Sequence, residues 1–174
     1  MARIVFRQHQ RSAVPDSNGR FWPRTIAAGC LSGMTVAGAA AWRAQMEGQS
    51  GWKPINAISH IFWGPQAAAQ QRFTAKYTAS GLLLNALACG FWGWFYGVIG
   101  RVRPAPHSYS RSAGRGIVVA ALAYLTDYYL VPRRFTPGFE LSLTRRSFPW
   151  LYGALALGLI LPDYLVPPKS RSRS

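Results

Sequence analysis

The sequence predicts an all-α membrane protein with four transmembrane helices and a short amphipathic interfacial helix. Three observations carry that prediction. The chain has 174 residues, of which only 14% are charged, against about 25% in an ordinary soluble domain. Four stretches, 25–42, 77–100, 116–125 and 148–161, contain no charged residue. The 20 lysines and arginines, set against 5 acids, fill the gaps between those stretches. A charge at the bilayer centre costs about 2.5–3.5 kcal/mol on insertion scales, so apolar blocks with basic borders read as helices in hydrocarbon. Basic charge of this size also fits a nucleic-acid binder. Its placement between apolar blocks argues against that class, so the expected partner is the lipid bilayer and not nucleic acid.

The elements follow in chain order. Residues 1–23 form a polar, basic N-terminal tail with Arg3, Arg7, Arg11 and Arg20. The transmembrane domain is expected over 24–167, with its first span at about 24–42. There Gly29, Gly33, Ala37 and Ala41 recur every four residues. Such a ridge lets a second helix approach closely, where van der Waals contact must replace the hydrophobic drive that lipid does not supply. A cleaved signal peptide is the rival reading of this span, with Ala39–Ala41 as the cleavage site, but the leader before it is longer than such leaders usually are.

The long connection that follows contains Ile55, Ile58 and Phe62 at helical spacing, closed by Gly64-Pro65. It predicts an amphipathic helix over 54–70 lying on the membrane surface or dipping partly inside. The second span, 77–100, repeats the small-residue device in Ala86, Gly90, Gly93 and Gly97, and "FWGWFY" at Phe91–Tyr96 reads as an interfacial aromatic belt. The third, 116–131, ends in Asp127, Tyr128 and Tyr129. The fourth, 148–166, carries Pro162 near its end, where it is expected to kink or stop the helix. Residues 168–174 are a basic tail suited to anionic headgroups. Helices of these lengths cross a core about 30 Å thick, the shorter ones barely.

Four spans place both termini on one side. The tails and the second loop then hold twelve basic residues and the opposite side eight. The positive-inside rule therefore places both termini in the cytoplasm of a bacterial inner membrane.

Few residues are equipped for chemistry. Asp127 and Asp163 each sit in the last turns of a span, where a carboxylate meets the negative end of the helix macrodipole and needs a partner. The expected partners are Arg133 and Arg134 for Asp127, and Lys169 with the tail arginines for Asp163. His60 shares a face with Asp127 in this topology, and a His–Asp pair there would relay protons or sense pH. A histidine that merely hydrogen-bonds backbone is the plainer reading. Asn85, at the middle of the second span, is expected to bond across helices. The candidate polar site is therefore His60, Asn85, Asp127, Arg133, Arg134 and Glu140. Cys30 and Cys89 lie inside apolar runs without metal spacing and are expected to be reduced thiols. No HExxH, Gly-x-Ser-x-Gly, CxxC or phosphate-loop motif occurs. No catalytic residue, metal or cofactor is assigned.

"PINAISHIFWG", "KYTASGLLLNALACGFWGWFYG" and "DYYLVPRRFTPGFELSL" together resemble a group of small four-span inner-membrane proteins of proteobacteria, over about residues 54–143. The resemblance implies location and architecture but no chemistry. In that group a histidine pair often stands where this chain has Asn85 and Ala86, and an acid where it has Gly97. This weakens a relay or metal reading here. The leading expectation is a non-enzymatic accessory component that associates, with itself or another membrane protein, through Gly29, Gly33, Gly93 and Gly97. A transporter or channel subunit using His60, Asn85 and Asp127 in a polar cavity comes second, and a membrane-embedded enzyme third. Alkaline phosphatase, active only outside the cytoplasm, is expected to be active when fused after Glu140 and inactive after Arg103. The reverse pattern overturns the orientation.

Overall fold

The computed structural model describes residues 17–102 and 108–165. Arg3, Arg7, Arg11, Arg103, Val166 and Lys169 lie outside the described residues, with the rest of 1–16 and of 166–174. Among the described residues there are six α-helices: α1 (Ser17–Met46), α2 (Trp52–Ile58), α3 (His60–Trp63), α4 (Ala75–Val102), α5 (Tyr109–Leu125) and α6 (Phe148–Leu165). A π-helical turn, Thr126–Leu130, extends α5, short 3-10 turns occupy the connections, and no strand occurs among the described residues.

Among the described residues, three helical stretches are long and apolar enough to cross a membrane: Phe21–Met46, Ala75–Val102 and Arg145–Leu165. They correspond to the first, second and fourth expected spans. The α5 helix is not one of them, being 17 residues long with Arg111 and Arg115 in its first half. Boundaries differ from the expected ones because hydropathy marks only what sits in hydrocarbon. Helical hydrogen bonding carries α1 back to Ser17 and on to Met46, and takes α6 through Pro162 to Leu165.

The α1 helix is the hub, packed against both α4 and α6, while α5 packs on α6. Small residues make those crossings possible. A Cβ added to Gly29 would lie 2.9 Å from the Gly90 Cα, and one on Gly93 would lie 2.5 Å from the Gly29 nitrogen. On the other side of α1, Gly158 of α6 rests against the Ser32 backbone. Gly29, Gly93 and Gly97 thus all pack against other helices of the same chain. At this separation side-chain donors reach backbone carbonyls across the helices. Thr35 Oγ1 donates to the Ala154 carbonyl at 2.8 Å, and Asn85 Nδ2 to the Gly33 carbonyl at 2.9 Å. Asn85 therefore bonds across helices, as its mid-span position predicts. The outer surface is apolar. Met34 is 70% exposed, Leu87 62% and Ile117 64%, a distribution that suits hydrocarbon and not water.

The connection between α1 and α4 corrects the expectation of a surface helix over 54–70. It forms two short helices, α2 and α3, and a 3-10 turn, and every residue from 54 to 59 is buried. The reason is that its polar groups are satisfied inside the fold. Asn56 Nδ2 donates to the carbonyls of Gln70 and Arg72, and its Oδ1 accepts from Thr78 Oγ1 of α4 at 2.6 Å. Ile55 and Ile58 face inward, whereas Phe62 is exposed. The loop after α5 seals the same region. Gly138 has φ +82°, a left-handed conformation, and lies so close to the Ala57 carbonyl that a Cβ would be 2.6 Å from it. Only glycine satisfies both demands.

A polar clamp joins the end of α1 to the start of α6. Glu47 accepts hydrogen bonds from Ser147 Oγ at 2.5 Å, from Thr144 Oγ1 at 2.8 Å and from the Thr144 amide at 3.0 Å. Arg43 donates to Ser147 Oγ at 3.0 Å and lies 3.6 Å from Glu47. Burial pushes the Glu47 carboxyl upward, but the Ser147 and Thr144 hydrogen bonds and the Arg43 charge outweigh it and hold the group below its ordinary value.

Candidate functional site

The two aspartates occupy opposite ends of the bundle, since Asp127 meets the first turns of α6 and Asp163 stands in its last. The π turn explains how Asp127 points inward. Its wider backbone loop shifts the register at the end of α5, a feature often found at functional positions. Tyr152 Oη donates to Asp127 Oδ2 at 2.7 Å. The tyrosine is held in turn by an edge-on contact with Tyr124, at 5.2 Å and 84°. This corrects the expected pairing with Arg133 and Arg134. Pro132 breaks the helix, and the following 3-10 turn carries both arginines out to an exposed position. Among the described residues, the ion pairs are Arg43–Glu47 and Arg115–Asp163.

Asp127 and Asn85 line a common cavity of about 260 Å³, together with Cys89, Trp92, Tyr152 and Phe135. Within it, Cys89 is buried and free, whereas Cys30 faces outward. A carboxylate and a carboxamide on apolar, aromatic walls are suited to a proton donor or a cation with an apolar body. The other two candidates stand apart. His60 Nδ1 is 2.9 Å from the Ala57 carbonyl, and the buried Nε2 has no hydrogen-bond partner. No hydrogen bond joins His60 to Asp127; the histidine meets a backbone carbonyl, the plainer of its two readings. Gly138 packs against the imidazole and helps fix its position. Glu140 is exposed, accepts from Thr136 Oγ1, and lies 3.4 Å from Tyr128 Oη. Tyr128 stacks on Phe148 at 4.9 Å, which ties this loop to the start of α6. Among the described residues no group of three or more histidines, cysteines and acids gathers in metal-binding proximity.

Asp163 is the most heavily bonded carboxylate at the other end. Its Oδ2 accepts from Tyr96 Oη at 2.6 Å, Arg115 Nη2 at 2.7 Å and Ser112 Oγ at 2.8 Å. The Arg115 guanidinium also lies 3.9 Å above the Tyr96 ring. The expected partners in the tail were Lys169 and the arginines beyond it; the described partners instead come from α4 and α5. Arg115 had the appearance of a loop residue because hydropathy rises only after it. In fact α5 begins at Tyr109, so Arg115 lies inside the helix and points at α6. The spacing of Ser112, Arg115 and Gly116 carried that signal, since three- and four-residue intervals put all three on one helical face. Tyr152 and Tyr96 had no comparable signal, because their partners are remote in sequence.

Compared with protein-family models, curated proteins and solved structures, the chain matches none.

Replacing Tyr152 with Phe removes the one donor to Asp127 among the described residues and leaves a buried acceptor unsatisfied. It is expected to lower stability in detergent by about 1–3 kcal/mol. The exposed Arg133→Gln/Arg134→Gln pair is expected to stay within about 0.5 kcal/mol of the parent. Thermal unfolding of the purified variants checks both, and a larger loss from the arginine pair would restore the ion-pair reading.

Proposed function

We propose that this chain is a four-span protein of the bacterial inner membrane, with both termini cytoplasmic, acting as a non-enzymatic accessory component that docks another transmembrane helix. The observation that carries the docking is a groove of about 600 Å³ between α1 and α4. Gly29, Gly33, Ala37 and Gly90 floor it, and Met34 and Trp94 form its walls. A Cβ added to Gly90 would meet nothing within 4 Å, so the groove has room beside the helix backbone. Small-residue floors of this kind admit a second helix at close range, which is how helices associate in lipid.

The fourth crossing is supported by α5 and its π turn. Together they run antiparallel to α6, since Ser112 and Arg115 bond its last turn and Asp127 its first turns. The outward face of α5, with Ile117, Val118, Leu122 and Leu125 exposed, is apolar. The positive-inside count and the motif resemblance to small four-span proteobacterial proteins support the location and orientation.

The cavity shared by Asn85 and Asp127 favours a second reading, a transporter or channel subunit. A membrane-embedded enzyme would need two of His60, Asp127 and Glu140 at one pocket; of the three, Asp127 lines the cavity described above.

The exposed Cys30 lines the groove and provides the test. A photo-crosslinker attached to Cys30 in native membranes is expected to yield one discrete protein adduct, either a dimer or a complex with another membrane protein. Gly90→Leu, whose Cβ has none of the chain's own atoms within 4 Å, is expected to abolish that adduct and leave thermal stability unchanged. Labelling of lipid alone, or an adduct that survives Gly90→Leu, contradicts the docking.

A further inference from the structure

Among the described residues, Asp127 is the one charged group lining its cavity of about 260 Å³, and no lysine or arginine shares the wall. The carboxylate is half-buried and accepts a hydrogen bond from Tyr152 Oη. The ion pairs among the described residues lie elsewhere, at Glu47 and Asp163. A carboxylate held beside hydrocarbon without a cation is costly, and such groups normally have a partner. Asn85, the other strongly polar side chain on the wall, commits its amide nitrogen to the Gly33 carbonyl. Its Oδ1 is approached by Cys89 Sγ at 3.9 Å, a weak donor. The cavity therefore presents acceptors, one of them charged, and calls for a donor that carries positive charge.

The remaining walls decide what that cation looks like. Trp92, Phe139 and Tyr152 bring aromatic rings to the cavity, and Ile58, Leu151 and Leu155 bring aliphatic carbon. An inorganic cation such as Ca²⁺ or Mg²⁺ takes about six or more oxygen ligands, which these walls do not supply. An ammonium, by contrast, is attracted by ring faces as well as by a carboxylate. An engineered apolar cavity of about 150 Å³ holds one benzene molecule. At about 260 Å³ this one admits a single ring with a short aminoalkyl arm. Leu87, 62% exposed, and Phe135, 56% exposed, also line it, so its mouth opens on the apolar exterior of the bundle. An amphipathic amine is concentrated at such a surface by its apolar part. From this arrangement we infer that the cavity binds a monovalent organic ammonium with an apolar body about the size of one aromatic ring, anchored by Asp127. The inference gives the transporter reading of this cavity a ligand class, but it rests on the cavity and not on transport. Helix docking in the α1–α4 groove is independent of it.

The test uses the full-length chain purified in a neutral detergent and titrated with 2-phenylethylamine, whose amine, like that of lysine, is protonated at neutral pH. Binding is read by isothermal titration calorimetry against detergent alone. The amine is expected to saturate a single site. 2-Phenylethanol, which keeps the ring and lacks the charge, and methylamine, which keeps the charge and lacks the ring, are each expected to bind at least about tenfold more weakly. Asp127→Asn, which can still accept from Tyr152, is expected to weaken the amine by at least about tenfold, a loss of about 1.4 kcal/mol in binding. Asp127→Glu is expected to recover part of that affinity. The comparison of the three ligands on the parent chain decides the matter even where a variant does not fold. Binding of the amine without its movement across vesicles carrying the chain would keep this site and remove the transporter reading. No saturable binding, equal affinity for the alcohol or for methylamine, or equal affinity of the parent and a folded Asp127→Asn chain overturns the site.

Discussion

Hydrocarbon cannot donate or accept a hydrogen bond, and most of this architecture follows from that constraint. A polar side chain inside the bundle must find its partner in the same chain. Thr35 reaches a carbonyl of α6, Asn85 a carbonyl of α1, and Asn56 two carbonyls of its own connection. Asp163 collects a tyrosine, a serine and an arginine from two different helices. Each bond also specifies a register, because a helix shifted by one turn would leave a buried group unanswered at a cost of about 1–3 kcal/mol.

The same solvent explains why glycine and alanine dominate the contacts of α1. In water, large apolar side chains drive helices together. In lipid they gain nothing from leaving their surroundings, and close backbone approach supplies the attraction instead. The α1 helix therefore carries its small residues towards α4 and α6, while Met34 and the exposed leucines, isoleucines and tryptophans of the other helices face outward. Polar groups close both ends of this bundle. Glu47 with Arg43 joins α1 to α6 at one end, and Asp163 with Arg115 joins α6 to α5 at the other.

How much of this was legible in the sequence depended on the range of the interaction. Charge-free blocks locate α1, α4 and α6 because burial in hydrocarbon is a property of each residue alone. Asn85 could be placed between helices on the same argument. The partners of Asp127 and Asp163 could not, for Tyr152 and Tyr96 lie 25 and 67 residues away along the chain. Nearby arginines were the obvious choice, and Pro132 turned two of them outward. Asn56 misled in a different way. A polar residue in an apolar-leaning segment carries no sign of its own burial, yet three hydrogen bonds let Asn56 be fully buried. Periodicity predicts which side of a helix is apolar, but not whether folding will satisfy the polar side too.

Everything described depends on the apolar exterior facing lipid. Membranes from cells expressing the chain, washed with alkaline carbonate, separate peripheral from integral proteins. The chain is predicted to stay entirely in the pellet and to be released only by detergent. Its recovery in the carbonate supernatant would show that water, not hydrocarbon, bathes those helices, and the account would fail with it.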